Sequence, residues 1–147
     1  MGVFDLKNVM NERIDLQREL SYELIGLAMD VQTTYGSNHK EIIYQRALAE
    51  KLKLNNIDFV QEPKIEIFSA DTRRSLGWYQ PDLLVERKII VELKATSYPA
   101  KAHEVQLRDY LKCSNIEIGY LLNFGLPSLY FQRIIYTNDR KAHTASV

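Results

Sequence analysis

The order of apolar and polar segments predicts an α/β domain, with a central mixed β-sheet flanked by helices. Two observations carry that expectation. Two helical periodicities come first, then three or four strand-like segments, a third helix, and two more strands. A helix lying between strands of one sheet implies a mixed sheet covered on both faces. The second observation is the run from Leu83 to Leu93, where branched apolar residues stand on both sides of the polar triplet Glu86-Arg87-Lys88. That pattern reads as a hairpin with a short turn, apolar enough to be buried on both faces.

The elements follow in order. Residues 1–18 are mixed and charged, and Val3, Phe4, Leu6 and Val9 form a weak amphipathic pattern, so an N-terminal arm or extra helix is expected. The domain proper is expected over 19–136. From Glu19 to Tyr35, Leu20, Leu24, Leu27, Ala28 and Val31 recur at helical spacing, and Gly36 stops the helix. A second helix is expected from His39 to Leu54 on the pattern Ile43, Ala47, Leu48 and Leu52. Asp58 to Phe68 reads as strand, Ser69 to Arg74 as a polar turn, and Leu76 to Tyr79 as strand. The hairpin comes next, and Thr96 to Pro99 breaks the chain. A helix over Lys101–Cys113 and strands over Ile116–Phe124 and Leu129–Tyr136 complete the domain, and a flexible tail is expected over 137–147.

At 147 residues, 46% of them hydrophobic and 26% charged, the chain suffices for one domain with a sizeable core. Its 19 basic and 19 acidic residues cancel, so any nucleic-acid-binding surface must be local. The single Cys113 excludes an internal disulfide and a cysteine-based zinc site. No apolar run is long enough to cross a bilayer and no signal-peptide pattern opens the chain, so no membrane partner and a cytoplasmic location are expected. Leu6 stands where a myristoylated chain carries Ser or Thr.

Folding the hairpin symmetrically about Arg87 sets Val85 opposite Ile89, Leu84 opposite Ile90, and Asp82 opposite Glu92. Strand side chains alternate, so Asp82, Glu92 and Lys94 share one face and Leu83, Val91 and Leu93 the other. Directly paired carboxylates repel, and ionised groups in a buried strand are costly unless paired or bound to metal. A divalent cation, Mg²⁺ or Mn²⁺, is the simplest partner. It would activate water toward a phosphodiester, with Lys94 orienting or deprotonating that water or stabilising the developing charge. The alternative is an Asp that ends a strand beside an ordinary solvated Glu–Lys pair.

Three further groups admit two readings each. His103, Gln106 and Tyr110 lie along one face of the third helix, where they hold phosphate and position water or form a solvated face. Glu41 and Tyr44 sit one turn apart near the start of the second helix, where a Glu is favoured by the helix dipole whatever its role. Arg73 and Arg74, at a hairpin tip, contact a nucleic-acid backbone or are solvated.

Asp82 after Pro81, then Glu92-Leu93-Lys94, then Gln106-x-x-x-Tyr110 together resemble the PD-(D/E)xK nuclease superfamily, in particular its RecB-like branch. Asn38, Glu41 and Tyr44 resemble the motif of the bacterial GxxExxY family, with Asn in place of Gly. The resemblance spans Leu20 to Tyr136 and implies a restriction-endonuclease-like core. It further implies that Asp82, Glu92, Glu41 and the backbone carbonyl of Leu93 bind metal, and that Lys94 supports the attacking water. By the same resemblance Gln106 and Tyr110 line the substrate side, with Tyr44, His103, Arg73 and Arg74 as candidate nucleic-acid contacts. Metal-dependent hydrolysis of DNA, rather than RNA, is expected, the alternative being a non-catalytic nucleic-acid-binding or regulatory module with the same fold. So few basic residues leave a partner protein or a homodimer to complete the binding groove.

Overall fold

A computed structural model of the protein describes residues 3–98 and 101–141, with side chains from Gln17 onward. Helices α1 (Val3–Tyr35) and α2 (Glu41–Leu54) come first. Strands β1 (Phe59–Gln61), β2 (Ile65–Phe68), β3 (Ser75–Tyr79), β4 (Leu83–Val85) and β5 (Ile89–Lys94) follow. Helix α3 (Lys101–Lys112) and strands β6 (Ile118–Asn123) and β7 (Tyr130–Ile135) complete the core. The central sheet runs β1-β4-β5-β6-β7; β2 and β3 form a separate two-stranded ribbon. Only β5 and β6 are parallel, and α3 supplies the crossover that such a pair requires. The expected mixed sheet flanked by helices is therefore the architecture found.

Alternation along β5 sorts its side chains between two cores. Ile89, Val91 and Leu93 join Leu24, Val31, Tyr44, Leu48 and Leu52 of α1 and α2 in the larger core. Ile90 joins Leu107 and Leu111 of α3 and Tyr79 of β3 in the smaller one. By the same alternation Glu92 and Lys94 continue beyond Ile90 on the face that α3 and the ribbon cover. The smaller core ends just where the polar residues begin.

Several boundaries differ from those expected. Helix α1 begins at Val3, so residues 3–18 continue the helix expected from Glu19. Helix α2 begins at Glu41, two residues later than expected, because Ser37 to Lys40 form the connection. The span Asp58–Phe68 is not one strand. Glu62 takes a left-handed backbone with φ 50 and Pro63 follows, so the ladder stops at Gln61 and β2 restarts in the ribbon. The expected tail is anchored over its first residues. Lys141 is buried and its Nζ donates to the carbonyls of Ser114 (2.9 Å) and Ile116 (2.8 Å) and to Asn138 Oδ1 (2.6 Å). That burial pushes the Lys141 ammonium down to about 8. Residues 142–147, with His143, lie outside the described residues. Among the described residues no helix is long and apolar enough to cross a membrane.

Candidate active site

The hairpin register sets the site. Leu83 pairs with Val91, Leu84 with Ile90 and Val85 with Ile89, the arrangement symmetric about Arg87. Asp82 immediately precedes β4, so the same register continued by one step would set it opposite Glu92, and the charge of Asp82 does act on Glu92. The turn closes through Lys88 N donating to Val85 O (2.9 Å), with Glu86 and Arg87 in left-handed backbone at φ 52 and 55. Glu86 Oε1 accepts the amide of Asp58 at 2.8 Å, which ties that strained turn to the chain entering β1. Asp82 is fixed in turn: the Leu93 amide donates to its Oδ2 at 2.7 Å.

The electrostatics are those of two acids forced together. Burial, reinforced by the charge of Asp82, pushes the Glu92 carboxyl up to about 8, while Lys94 pulls it back. Burial also raises Asp82 above its ordinary value, opposed by the Leu93 amide, while Glu41 adds repulsion. Lys94 thus acts on both as a nearby positive charge, and among the described residues it makes no ion pair with either. Two adjacent half-buried carboxylates that repel each other fit a hard divalent cation, since Mg²⁺ takes one or two carboxylates and fills its shell with water and phosphate. Glu41 is exposed in the first turn of α2. Its charge reaches both acids, but among the described residues no group of three or more His, Cys, Asp or Glu side chains is gathered as a metal site.

Across the smaller core, Gln106 Nε2 donates to the Tyr110 hydroxyl at 3.1 Å. The Tyr110 ring stacks on Tyr79, with centroids 3.8 Å apart and planes 5° from parallel. Gln106 is exposed, and Tyr110 and His103 are half-buried. The charge of Glu92 is second only to burial in raising the Tyr79 phenol above its usual range, which places Tyr79 beside the acids. Sequence reading assigned Tyr79 to a strand and no further. Its signal is proximity, since it precedes Gln80-Pro81-Asp82 by one residue.

The Tyr44 side chain lies inside the fold. It is fully buried and stacks on Phe124 at 4.6 Å, and its hydroxyl donates to Gly36 O and accepts from His39 N (3.2 Å). These contacts close the loop that leads into Glu41, a structural task beside the nucleic-acid contact expected of Tyr44. Arg73 and Arg74 sit at the ribbon tip, in the turn that precedes β3; Arg73 has a left-handed backbone (φ 61) and Arg74 is exposed.

Asn123 was also missed, because a lone Asn at a strand end carries no periodic signal. It pairs with Lys94 across the parallel ladder and is buried. Its Oδ1 accepts the amides of Thr96 (3.1 Å) and Gly125 (3.0 Å), and its Nδ2 donates to Thr96 Oγ1 (3.1 Å) and Tyr98 O (3.3 Å). This network fixes the segment leaving Lys94 toward α3. Gly125 packs so closely there that an added Cβ would collide with the backbone N and O of Thr96. Gly125→Ala is therefore expected to cost about 2–4 kcal/mol, read from the urea midpoint.

No curated protein matches the chain. The solved structure of SSO0001 is similar over 65% of this chain and 49% of its own, at 23% identity and a TM-score of 0.49. This chain thus spans about half the length of that protein. The sequence model of the PD-(D/E)XK nuclease superfamily matches residues 18–134, the span that holds the carboxylate pair and the central sheet but for the last residue of β7. The chain belongs to the PD-(D/E)XK nuclease superfamily.

Proposed function

We propose that the protein is a metal-dependent nuclease that hydrolyses DNA phosphodiester bonds. One observation carries the reading: Asp82, just before β4, and Glu92 of β5 are both half-buried and close enough for their charges to repel, with Lys94 beside them. A structural ion pair would have no use for a second acid in that position.

Asp82 and Glu92 would hold Mg²⁺ or Mn²⁺, a pairing in keeping with the divalent metals that nucleases of this superfamily generally use. The ion supplies Lewis-acid activation of water and neutralises charge on the phosphate. The Leu93 amide holds one Asp82 oxygen and leaves the other for the cation. Because the N–H and C=O of one strand residue point to the same edge, the Leu93 carbonyl is directed to the Asp82 side and would serve as a further donor. Lys94 orients the water and stabilises negative charge on the phosphate oxygens. Gln106 and Tyr110 line the substrate side, with His103 one turn before them. Glu41 raises the negative potential that draws in a cation.

Glu41 and Tyr44 also support the GxxExxY branch. The left-handed position in that loop is Gly36 (φ 77), and Asn38 is not among the positive-φ residues, so Asn in place of Gly needs no special backbone. The test is cleavage of labelled single- and double-stranded DNA with Mn²⁺ by wild type, Asp82→Ala and Lys94→Ala. Metal-dependent cutting by wild type, reduced at least about 100-fold in both variants, is expected. Equal cutting by all three would refute the site. DNA retention without cleavage would favour a non-catalytic nucleic-acid-binding module.

A further inference from the structure

We propose that the outward face of the β2–β3 ribbon is a stacking platform for unpaired bases, so that the substrate is gripped as single-stranded nucleic acid running past the carboxylates. The ligand's identity rests on the nuclease reading above. The surface itself is independent of it.

The ribbon's inward side chains, Ile65, Ile67 and Tyr79, pack on the smaller core. Alternation sends Trp78 and Leu76 outward, 52% and 70% exposed, and Phe68, also 52% exposed, ends β2 after a register shift that pairs it with Ser75. A two-stranded ribbon with one face on the core normally turns polar residues to water, so three large apolar side chains there mark a binding surface. Position ties this surface to the site. Trp78 is four residues before Asp82, so their Cα atoms lie within about 14 Å.

The occupant follows from charge and shape. Lys64 Nζ lies over one face of the Trp78 ring, 4.5 Å from its centroid, and Arg74 is exposed at the tip, so cations for phosphate stand at the platform. Aromatic faces stack only on bases that are already unpaired, and that stacking is tolerant of sequence. A duplex hides those faces and is held chiefly through phosphates, which a chain of zero net charge grips weakly. A second copy of the chain fits less well. Glu66 pairs directly with Trp78, with Lys64 beside them, and dimer interface cores are depleted of such charges.

Trp78 is the chain's single tryptophan, so its emission reports from the proposed surface alone. The full chain in EDTA is titrated with an oligothymidylate and with a duplex of equal length, and binding is followed by polarisation of the labelled DNA. Quenched Trp78 emission with the single strand, and binding weakened about tenfold in Phe68→Ala but retained in Phe68→Tyr, are expected. If the single strand binds while Trp78 emission and the Phe68→Ala affinity stay unchanged, the platform is elsewhere. Mn²⁺-dependent cleavage by wild type would then leave the nuclease reading standing. A chain that neither binds nor cuts DNA loses both. A dimer in sedimentation that Leu76→Glu splits assigns this face to a second copy and overturns the proposal.

Discussion

Glu92→Gln is expected to abolish cleavage, by at least about 10³-fold, while making the metal-free protein more resistant to urea at pH 8. The two effects have one cause. In the absence of a cation the Glu92 carboxylate is desolvated and faces Asp82, with Glu41 adding further repulsion. Gln keeps the shape and the hydrogen-bonding capacity but removes the charge, so the fold gains about 1–3 kcal/mol where the native side chain would be ionised. The same change removes an anionic donor that a divalent ion requires, and with it the ion's contribution to the transition state. Asp82→Asn should lose activity as severely and gain less stability, since the Leu93 amide already stabilises the Asp82 charge and an amide side chain can turn an NH₂ toward that donor. Urea denaturation at pH 8 in EDTA, beside single-turnover cleavage with Mn²⁺, reads both quantities. A Glu92→Gln protein that is less stable than wild type and inactive would mean only that the fold was damaged, and would sink the trade-off.

The part of this site written most plainly in the sequence was the hairpin. Its two halves are each long enough in branched apolar residues, and the polar triplet between them short enough, that only one register buries both faces. Leu83, Leu84 and Val85 pair as that argument requires. Helix α3 was legible in part, because of its expected apolar positions Val105, Leu107 and Leu111 the last two are buried while Val105 is exposed. What failed to show was decided by tertiary contacts. Ile65 and Ile67 have the alternation of a sheet strand whichever sheet they join, so nothing local detaches β2 from β1 except Glu62-Pro63. Tyr44 near Glu41 looks like a ligand-facing pair until Phe124, distant in sequence, covers its ring. Lys141 looks like part of a polar tail, because the carbonyls that hold it belong to residues more than twenty positions earlier.

Metal affinity and stability should move in opposite directions with pH, and the crossover identifies the acid pair as the metal site. The Glu92 carboxyl is raised from its ordinary 4.5 to about 8. Between those values the folded protein keeps a proton that the unfolded chain has released. Stability of the metal-free protein is therefore full below about pH 4.5, declines as pH rises toward 8, and levels above it. The loss is on the order of 5 kcal/mol at most, with Asp82, also raised, acting in the same direction. A divalent ion must displace that proton, so its dissociation constant should tighten about tenfold per pH unit over much of this range and then level near pH 8. Bound metal stabilises the folded state in proportion to the logarithm of concentration over dissociation constant. The rise in melting temperature on adding Mn²⁺ should consequently be small near pH 5.5 and largest at or above pH 8. In Glu92→Gln both slopes should flatten, since no proton remains to be released at that position. A Mn²⁺-induced rise that is the same at both pH values in wild type, or that survives unchanged in Glu92→Gln, would move the metal away from Asp82 and Glu92.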